Sequence, residues 1–521
     1  MLGRPMSRRD LMRKAGAASA SLTAASLVGR IPMAKADPTL PSVVVIGAGL
    51  AGTTAAYRLM QAGFPVSLYE SRNRVGGRCW SLHELPGSQV AEHGGELIDS
   101  DHVHLLGLAS ELRLTLEDYF TPTGVAPTWP CYIDGRWYPQ SAFDAEFEQL
   151  GSAIVAQAQS IGAVSGQSLN DAAYSWGTAT SGAIALDQMS MRDWMDAKLP
   201  GMTSTPFGRL MERVISGGSG IPMAQSSAIG LIEWWLTPEP RDVERYHIRG
   251  GNDQVPRMCA AALPAGALHL EAPLQRLSRL SNGTYEMAFG GISSVVRADR
   301  VILALPFSTL RDVDLTRAGF GSHRLDVVNQ LGMGTNAKMM LQYNDRPQAH
   351  TIPVYPNTWN GNCADMDDGF QCWESTRDQP GTGSIITLFY GGANAPNWGS
   401  TRPAHAFANG SIVNNRVSHL ETTVPGTGSH FTGNAWLDVW ANDPWTKGSY
   451  SAYKLGQYTA AYRFNYLPEG GVHFAGEHTS TLSHAYLNGG VESGQRTAIE
   501  LMREAGVRVP PAIANLPYST D

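Results

Sequence analysis

The sequence predicts an α/β protein: a discontinuous Rossmann-type domain that binds a dinucleotide, joined to a substrate-binding domain of mixed sheet plus helices. Three stretches predict its dinucleotide-binding part, and the remainder follows from a resemblance given below. Val43–Ile46 is a short, wholly apolar, β-branched run suited to a buried parallel strand. It leads into Gly47-Ala48-Gly49-Leu50-Ala51-Gly52, a G-x-G-x-x-G turn, and then into helical spacing from Thr53 to Ala62. A second strand, Pro65–Tyr69, ends in Glu70, about 20 residues past the glycines, where a carboxylate can accept from an adenosine ribose. Far downstream, Val472–Glu477 (VHFAGE) is again a strand ending in an acid, and Gly489-Gly490-Val491-Glu492-Ser493-Gly494 opens another helix.

The glycines have separate tasks. Gly47 permits the tight turn, Gly49 lets a pyrophosphate approach the backbone, and Gly52 lets helix and strand pack closely. Leu50 and Ala51 begin a helix whose N-terminal N–H groups and positive dipole end suit a diphosphate. At 521 residues the chain exceeds one ordinary core, so two domains are expected. A net charge of −7 argues against a nucleic-acid partner, and no apolar run is long enough for an integral membrane segment. Ser7-Arg8-Arg9-Asp10-Leu11-Met12 resembles a twin-arginine export motif, followed by a weakly apolar stretch and by Ala34-Lys35-Ala36 as a cleavage site. Residues 1–36 are therefore expected to be a signal, and the protein to be periplasmic or extracellular. Five cysteines show neither C-x-x-C nor zinc spacing. Buried free thiols are the default reading, with Cys363 and Cys372 able to pair across a loop if the protein is exported.

The residues after Glu70 separate flavin from nicotinamide. Ser71-Arg72-Asn73-Arg74-Val75-Gly76-Gly77-Arg78 resembles the E-x-R-x-R-x-G-G-R continuation of the flavin-containing amine oxidase family, which includes monoamine, L-amino acid and polyamine oxidases. The resemblance implies FAD, with Glu70, Ser71, Arg72, Gly77 and Arg78 along its ribose and phosphates. Glu92-His93-Gly94-Gly95-Glu96 resembles the family segment that passes beside the isoalloxazine ring, and His93 in it reads as a structural histidine rather than a base. Leu274 stands where the family has a valine at the adenine. Gly476 and Glu477 match the segment that meets the ribityl and pyrophosphate, and Gly490 and Val491 begin a second helix offered to the cofactor. The resemblance covers roughly Pro41 to Arg503. It implies an FAD domain of 40–101 with 246–306 and 435–506, a substrate domain of 102–245 with 307–434, and a C-terminal tail of 507–521. Helices are expected over His104–Leu112, Phe143–Ile161, Pro206–Ile215 and His405–Leu420, and strands over Ala337–Tyr343 and Ser384–Tyr390.

Three residues carry the expected chemistry. Lys338 is a lone cation in an apolar strand, and burial makes such lysines functional candidates. It resembles the family lysine that holds a water near flavin N5. Tyr450 and Tyr486 align with the two walls of the family's aromatic cage. Ser449 occupies the position of the cysteine that binds flavin covalently in monoamine oxidases, so FAD is expected to be non-covalent. Many L-amino acid oxidases have an arginine for the substrate carboxylate where this chain has Gly94-Gly95-Glu96-Leu97, which favours a primary amine. Arg249, Trp234 and Trp445 are the candidate substrate contacts, with helix packing the more ordinary explanation for Trp234. The expected function is oxidative deamination: hydride to flavin N5, hydrolysis of the imine, and reduction of O₂ to H₂O₂. The alternatives are an L-amino acid oxidase with the same chemistry, and a flavin dehydrogenase or desaturase that does not use O₂. Expected partners are a small amine or amino-acid substrate and O₂, and a homodimer is open.

Overall fold

The computed structural model describes residues 36–520 apart from 121–129, 166–167, 237–243, 353–360, 366, 368 and 393–400. The export signal expected at 1–36 thus lies, except for Ala36, outside the described residues. The layer expected to bind the dinucleotide is built from β1 (Val43–Ile46), α1 (Leu50–Gln61), β2 (Val66–Tyr69), β3 (Leu268–His269), β4 (Arg300–Leu303), β5 (Val472–Phe474) and α2 (Leu487–Glu504). The five strands form one parallel sheet in the order β3-β2-β1-β4-β5, with Val43 opposite Val66 on one side and Arg300 on the other. All four residues of β1 are buried, as a sheet covered on both faces requires. The strand order reverses direction between β1 and β4, and ligands of open α/β sheets bind in the crevice at that switch point.

Close packing shapes the crevice. Gly47 has φ +99°, and a Cβ there would lie 2.6 Å from the Ala304 carbonyl oxygen. A Cβ on Gly52 would fall 1.8 Å from the Gly47 oxygen, so α1 can approach β1 only through glycine. Helix α2 lies against α1 just as tightly, because a Cβ on Gly494 would sit 2.3 Å from the Ala51 oxygen. Both helices therefore point their N-termini at the same crevice.

An eight-stranded sheet forms the second layer, in the order His405–Ala408, Phe431–Val439, Ala337–Tyr343, Ser384–Tyr390, Phe370–Glu374, Cys363–Asp365, Cys131–Ile133, Arg136–Trp137. Its pairs are antiparallel except that of Cys363–Asp365 with Cys131–Ile133. Helix Pro206–Ser219 packs against its strand Phe370–Glu374, and Gln140–Ser160 packs against Ile229–Leu236. The result is the predicted α/β class with mixed sheet and helices. Among the described residues no helix is long and apolar enough to cross a membrane.

Two details depart from the sequence-based expectation. The strand Phe431–Val439 runs through residue 435, where a domain boundary is expected, because it pairs along Ala337–Tyr343 within the eight-stranded sheet. His405–Leu420 is not one helix: His405–Ala408 pairs with Phe431–Val439, and Gly410, at φ +69°, breaks the chain before a helix at Ser411–Thr423. Residues 507–520, the expected C-terminal tail, are docked on α2. Ile513 and Tyr518 are buried, and the Ser519 N–H donates to Glu492 of α2 at 2.9 Å.

Candidate cofactor and substrate site

At the switch point, Glu70 braces the glycine turn. Its Oε2 accepts from the Ala48 N–H at 2.7 Å, and its Oε1 accepts from the Arg72 N–H at 2.9 Å and the Ser71 hydroxyl at 3.1 Å. Gly76 bridges to Gly49, and Gly77, at φ +58°, comes so near that a Cβ would lie 3.2 Å from the Gly49 Cα. Gly49 itself is different. A Cβ there would meet nothing nearer than the Gly76 oxygen at 4.0 Å, so packing does not demand glycine at this position. The open approach lies at the N-cap of α1, which no side chain caps, as none caps α2 at Tyr486. Gly490 of α2 faces Leu50 of α1, its Cβ position 3.6 Å from the Leu50 Cβ. Two uncapped helix ends beside an unfilled glycine position fit the diphosphate of a dinucleotide.

Glu477 fastens the rest of the cradle. It accepts from Arg78 Nη1 at 2.8 Å, from the Ser451 N–H and hydroxyl at 3.1 and 2.7 Å, and from the Ala485 N–H at 2.9 Å. Burial pushes its carboxyl up, but the Arg78 charge and these donors outweigh that and hold it at about 2. Arg78 also donates to the Ser449 carbonyl at 2.7 Å, and the Ser449 hydroxyl donates to Asn336 Oδ1 at 2.5 Å. Arg72 is drawn to Asp443 at 2.9 Å. A cavity of about 480 Å³ opens beside it, with Ser71, Arg74, Trp80, Pro273 and Trp445 in its lining. Half-buried Leu274 follows Pro273 at this edge. Gly476, at φ +129°, and buried Val491 complete the set predicted to hold a cofactor.

Lys338 is only 4% exposed, and its Nζ has three partners. It donates to the Glu92 carbonyl at 3.1 Å and the Gly94 carbonyl at 2.7 Å, and it pairs with Glu96 Oε2 at 2.7 Å. The other Glu96 oxygen accepts from Trp373 Nε1 at 2.8 Å. Burial pushes the Glu96 carboxyl up, yet the Lys338 charge and hydrogen bond leave it below the ordinary carboxylate range. Glu96, predicted to lie along the cofactor, is thus the counter-ion of the candidate catalytic lysine. The strap that carries it threads a narrow gap: a Cβ on Gly94 would fall 1.8 Å from the Arg78 oxygen, and one on Gly95 would fall 2.6 Å from Leu487 of α2.

His93, on the same strap, is fully buried. Its ring stacks on Trp80 at 3.7 Å and its Nδ1 lies 3.0 Å from both oxygens of Asp438, which His405 also holds at 2.7 Å. Tyr450 donates to the Gly218 carbonyl at 2.7 Å, at the end of the helix Pro206–Ser219. Burial raises its phenol pKa, so the ring stays neutral. Tyr486 is 47% exposed at the head of α2, its ring edge-on to His102 at 5.3 Å. Trp234 packs edge-on against Phe147 and Trp235, each at 6.0 Å, which is helix packing. The Arg249 side chain is 58% exposed and lies 3.6 Å from Glu117, on the outer surface.

Sequence reasoning missed two residues under the strap. One is Trp373, whose indole orients Glu96. The other is His247, buried between Glu92 at 2.8 Å and Glu117 at 3.2 Å. Burial pushes its imidazole down, but the two carboxylates override this and raise it to about 9. Its only local signal is one polar residue between the apolar Tyr246 and Ile248.

The family model for flavin containing amine oxidoreductases matches residues 50–502. The chain is 23% identical to a putative L-amino-acid oxidase of Bacillus subtilis (strain 168), over 88% of this chain and 94% of that protein. It is 22% identical to an L-amino acid dehydrogenase of Synechocystis sp., over 87% of this chain and 93% of the relative. Cyclohexylamine oxidase from Brevibacterium oxydans IH-35A shares the fold with a TM-score of 0.72 at 21% identity, over 89% and 99% of the two chains.

Proposed function

The chain belongs to the flavin-containing amine oxidoreductase family, and from that premise we propose that it is an exported FAD-dependent oxidase of primary amines. The observation that carries the substrate reading is Glu96. An α-carboxylate entering a buried site needs a cation or equivalent donors to replace its hydration. Beside the strap Lys338 is already neutralised and saturated by Glu96 and two carbonyls, and Arg78 is paired with Glu477. Arg249 is turned to solvent beside Glu117. An uncharged alkyl or aryl amine needs no such partner.

Gly47 to Gly52, Glu70, Arg78, Glu477 and the head of α2 would hold FAD, with Ser449 leaving it non-covalent. Bound there, FAD would supply the hydride acceptor and the route by which electrons reach O₂ to give H₂O₂. The protein's part is placement. Tyr450, fixed by Gly218, and Tyr486, at the N-cap of α2, are assigned to flank the neutral amine. The oxidised substrate leaves as an imine, which water hydrolyses to an aldehyde and ammonia. Lys338, its three N–H bonds taken by Glu96 and two carbonyls, is assigned to set the charge at the flavin edge rather than to hold a water. The Ser7–Met12 motif supports export of the folded protein by the twin-arginine route.

The names of the two relatives favour a second reading, an L-amino acid substrate, and one of them is a dehydrogenase rather than an oxidase. Comparing phenethylamine with L-phenylalanine keeps the tail constant and varies only the carboxylate. The amine is expected to have the higher kcat/KM, with stoichiometric peroxide in air. A preference for L-phenylalanine refutes the amine reading. Turnover with an artificial acceptor but without peroxide refutes the oxidase reading.

A further inference from the structure

We propose that Cys363 and Cys372 are a latent disulfide, a cross-strand staple that peroxide closes. The two residues are direct partners in the antiparallel pairing of Cys363–Asp365 with Phe370–Glu374. Both are fully buried, and their Sγ atoms lie 3.0 Å apart. A disulfide bond is about 2.03–2.05 Å long, so closure asks for a shift of about 1 Å between sulfurs that already face each other. The other cysteines lack this relation. Cys131, one strand further on, pairs with Ala364, while Cys79 and Cys259 lie outside this sheet.

The surroundings select the oxidant. The hydrogen bond to Cys372, and then burial, hold the Cys363 thiol well above its ordinary range, so thiolate is scarce. A protein disulfide cannot reach fully buried sulfurs, but hydrogen peroxide is small and neutral. One thiolate attacks the O–O bond, giving a sulfenic acid and one water. The neighbouring thiol then attacks that sulfur and displaces the second water as the S–S bond forms. The sulfurs lose two electrons, peroxide gains them, and both thiol protons end in water. The first step is slow because thiolate is scarce. The second is fast because its partner is already in place.

The staple would act on the strand that also holds the lysine's counter-ion. Trp373 directly follows Cys372 and donates to Glu96. Closing the pair ties this strand to its neighbour and restricts the unfolded chain, so Tm should rise on oxidation.

The test uses the full-length protein, reduced and then exposed to hydrogen peroxide. After unfolding, alkylation and non-reducing cleavage at Phe370, which lies between the cysteines, the expected product is a Cys363–Cys372 crosslink lighter by two hydrogens. Oxidised wild type should melt several degrees higher than reduced, and Cys372→Ser should show neither crosslink nor shift. The proposal is overturned if both thiols remain alkylatable, if either links to Cys131, or if they end as sulfinic or sulfonic acids. A second arm replaces added peroxide with phenethylamine turnover in air and rests on the proposed oxidase activity. Crosslinking by added peroxide but not by turnover supports the staple and counts against the oxidase.

Discussion

Replacing Lys338 by methionine removes one half of a buried ion pair. The side chains of Lys338 and Glu96 are 5% and 2% exposed, and without the ammonium the carboxylate keeps Trp373 at 2.8 Å, the nearby Ser375 and the weaker influence of the His247 charge. Leaving one member of such a pair uncompensated costs about 3–5 kcal/mol, a large part of the roughly 5–15 kcal/mol that holds a domain folded. In the strand alone, a lysine among apolar residues looks replaceable by methionine; Glu96 reverses that. The pH dependence gives the signature. In the wild type the folded Glu96 carboxyl is depressed, so its contribution is present above the unfolded value of about 4.3 and is lost as pH falls through the folded one. In Lys338→Met, burial dominates and the folded value rises above about 4.3. The stability deficit is then largest at pH 8 and shrinks as acid neutralises Glu96. Lys338→Met/Glu96→Gln removes both charges and should recover most of the stability. Anaerobic flavin reduction or reoxidation should remain roughly 10²-fold slower in both variants, because the positioned ammonium is absent. Thermal unfolding at pH 5.5 and 8, FAD content and stopped-flow absorbance separate the two effects. A single variant as stable as wild type at pH 8, or a double variant as unstable as the single one, refutes the reasoning.

Gly49→Val should fold yet bind almost no FAD, since its methyls enter the open space at the head of α1; undiminished flavin per chain would mean the space is not the cofactor's. Acid or heat precipitation should release FAD to the supernatant, because Ser449 cannot form a thioether; colour retained in the pellet contradicts this. His247 has a folded value raised to about 9, so its stabilisation is complete below the unfolded value of about 6.5 and is lost as pH rises through 9. His247→Gln should therefore flatten the fall of Tm between pH 6.5 and 9, and an unchanged slope argues against the Glu92–His247–Glu117 bridge.

The nucleotide-binding half of the fold was legible because its signals are local. The glycine spacing, β-branched β1 and the acid after β2 each work within one turn of chain, and the switch point follows from them. Lys338 could be singled out by its isolation in an apolar strand, but its counter-ion could not, since Glu96 lies 242 positions away. Glu96 read instead as a missing arginine. His405–Ala408 was misread for a similar reason. Its residues suit a helix as well as a strand, and only the edge of Phe431–Val439 decides between them. Arg249 shows the converse limit: its place beside a glycine turn says nothing about which side of the strap its long side chain takes.

The parallel sheet has a consequence for how the protein is made. Its central strand, β1, emerges from the ribosome early, whereas β5 begins only at Val472. On the order of 400 residues separate them, and at about 5–20 residues per second their synthesis takes roughly 20–90 s. Throughout that interval the head of α1 waits without α2, and β4, once made, waits without β5. The nascent chain therefore needs shielding from self-association for longer than a protein of local topology would. A chain cut short before α2 would keep the glycine turn but only half the cradle, so flavin capture belongs at the end of synthesis.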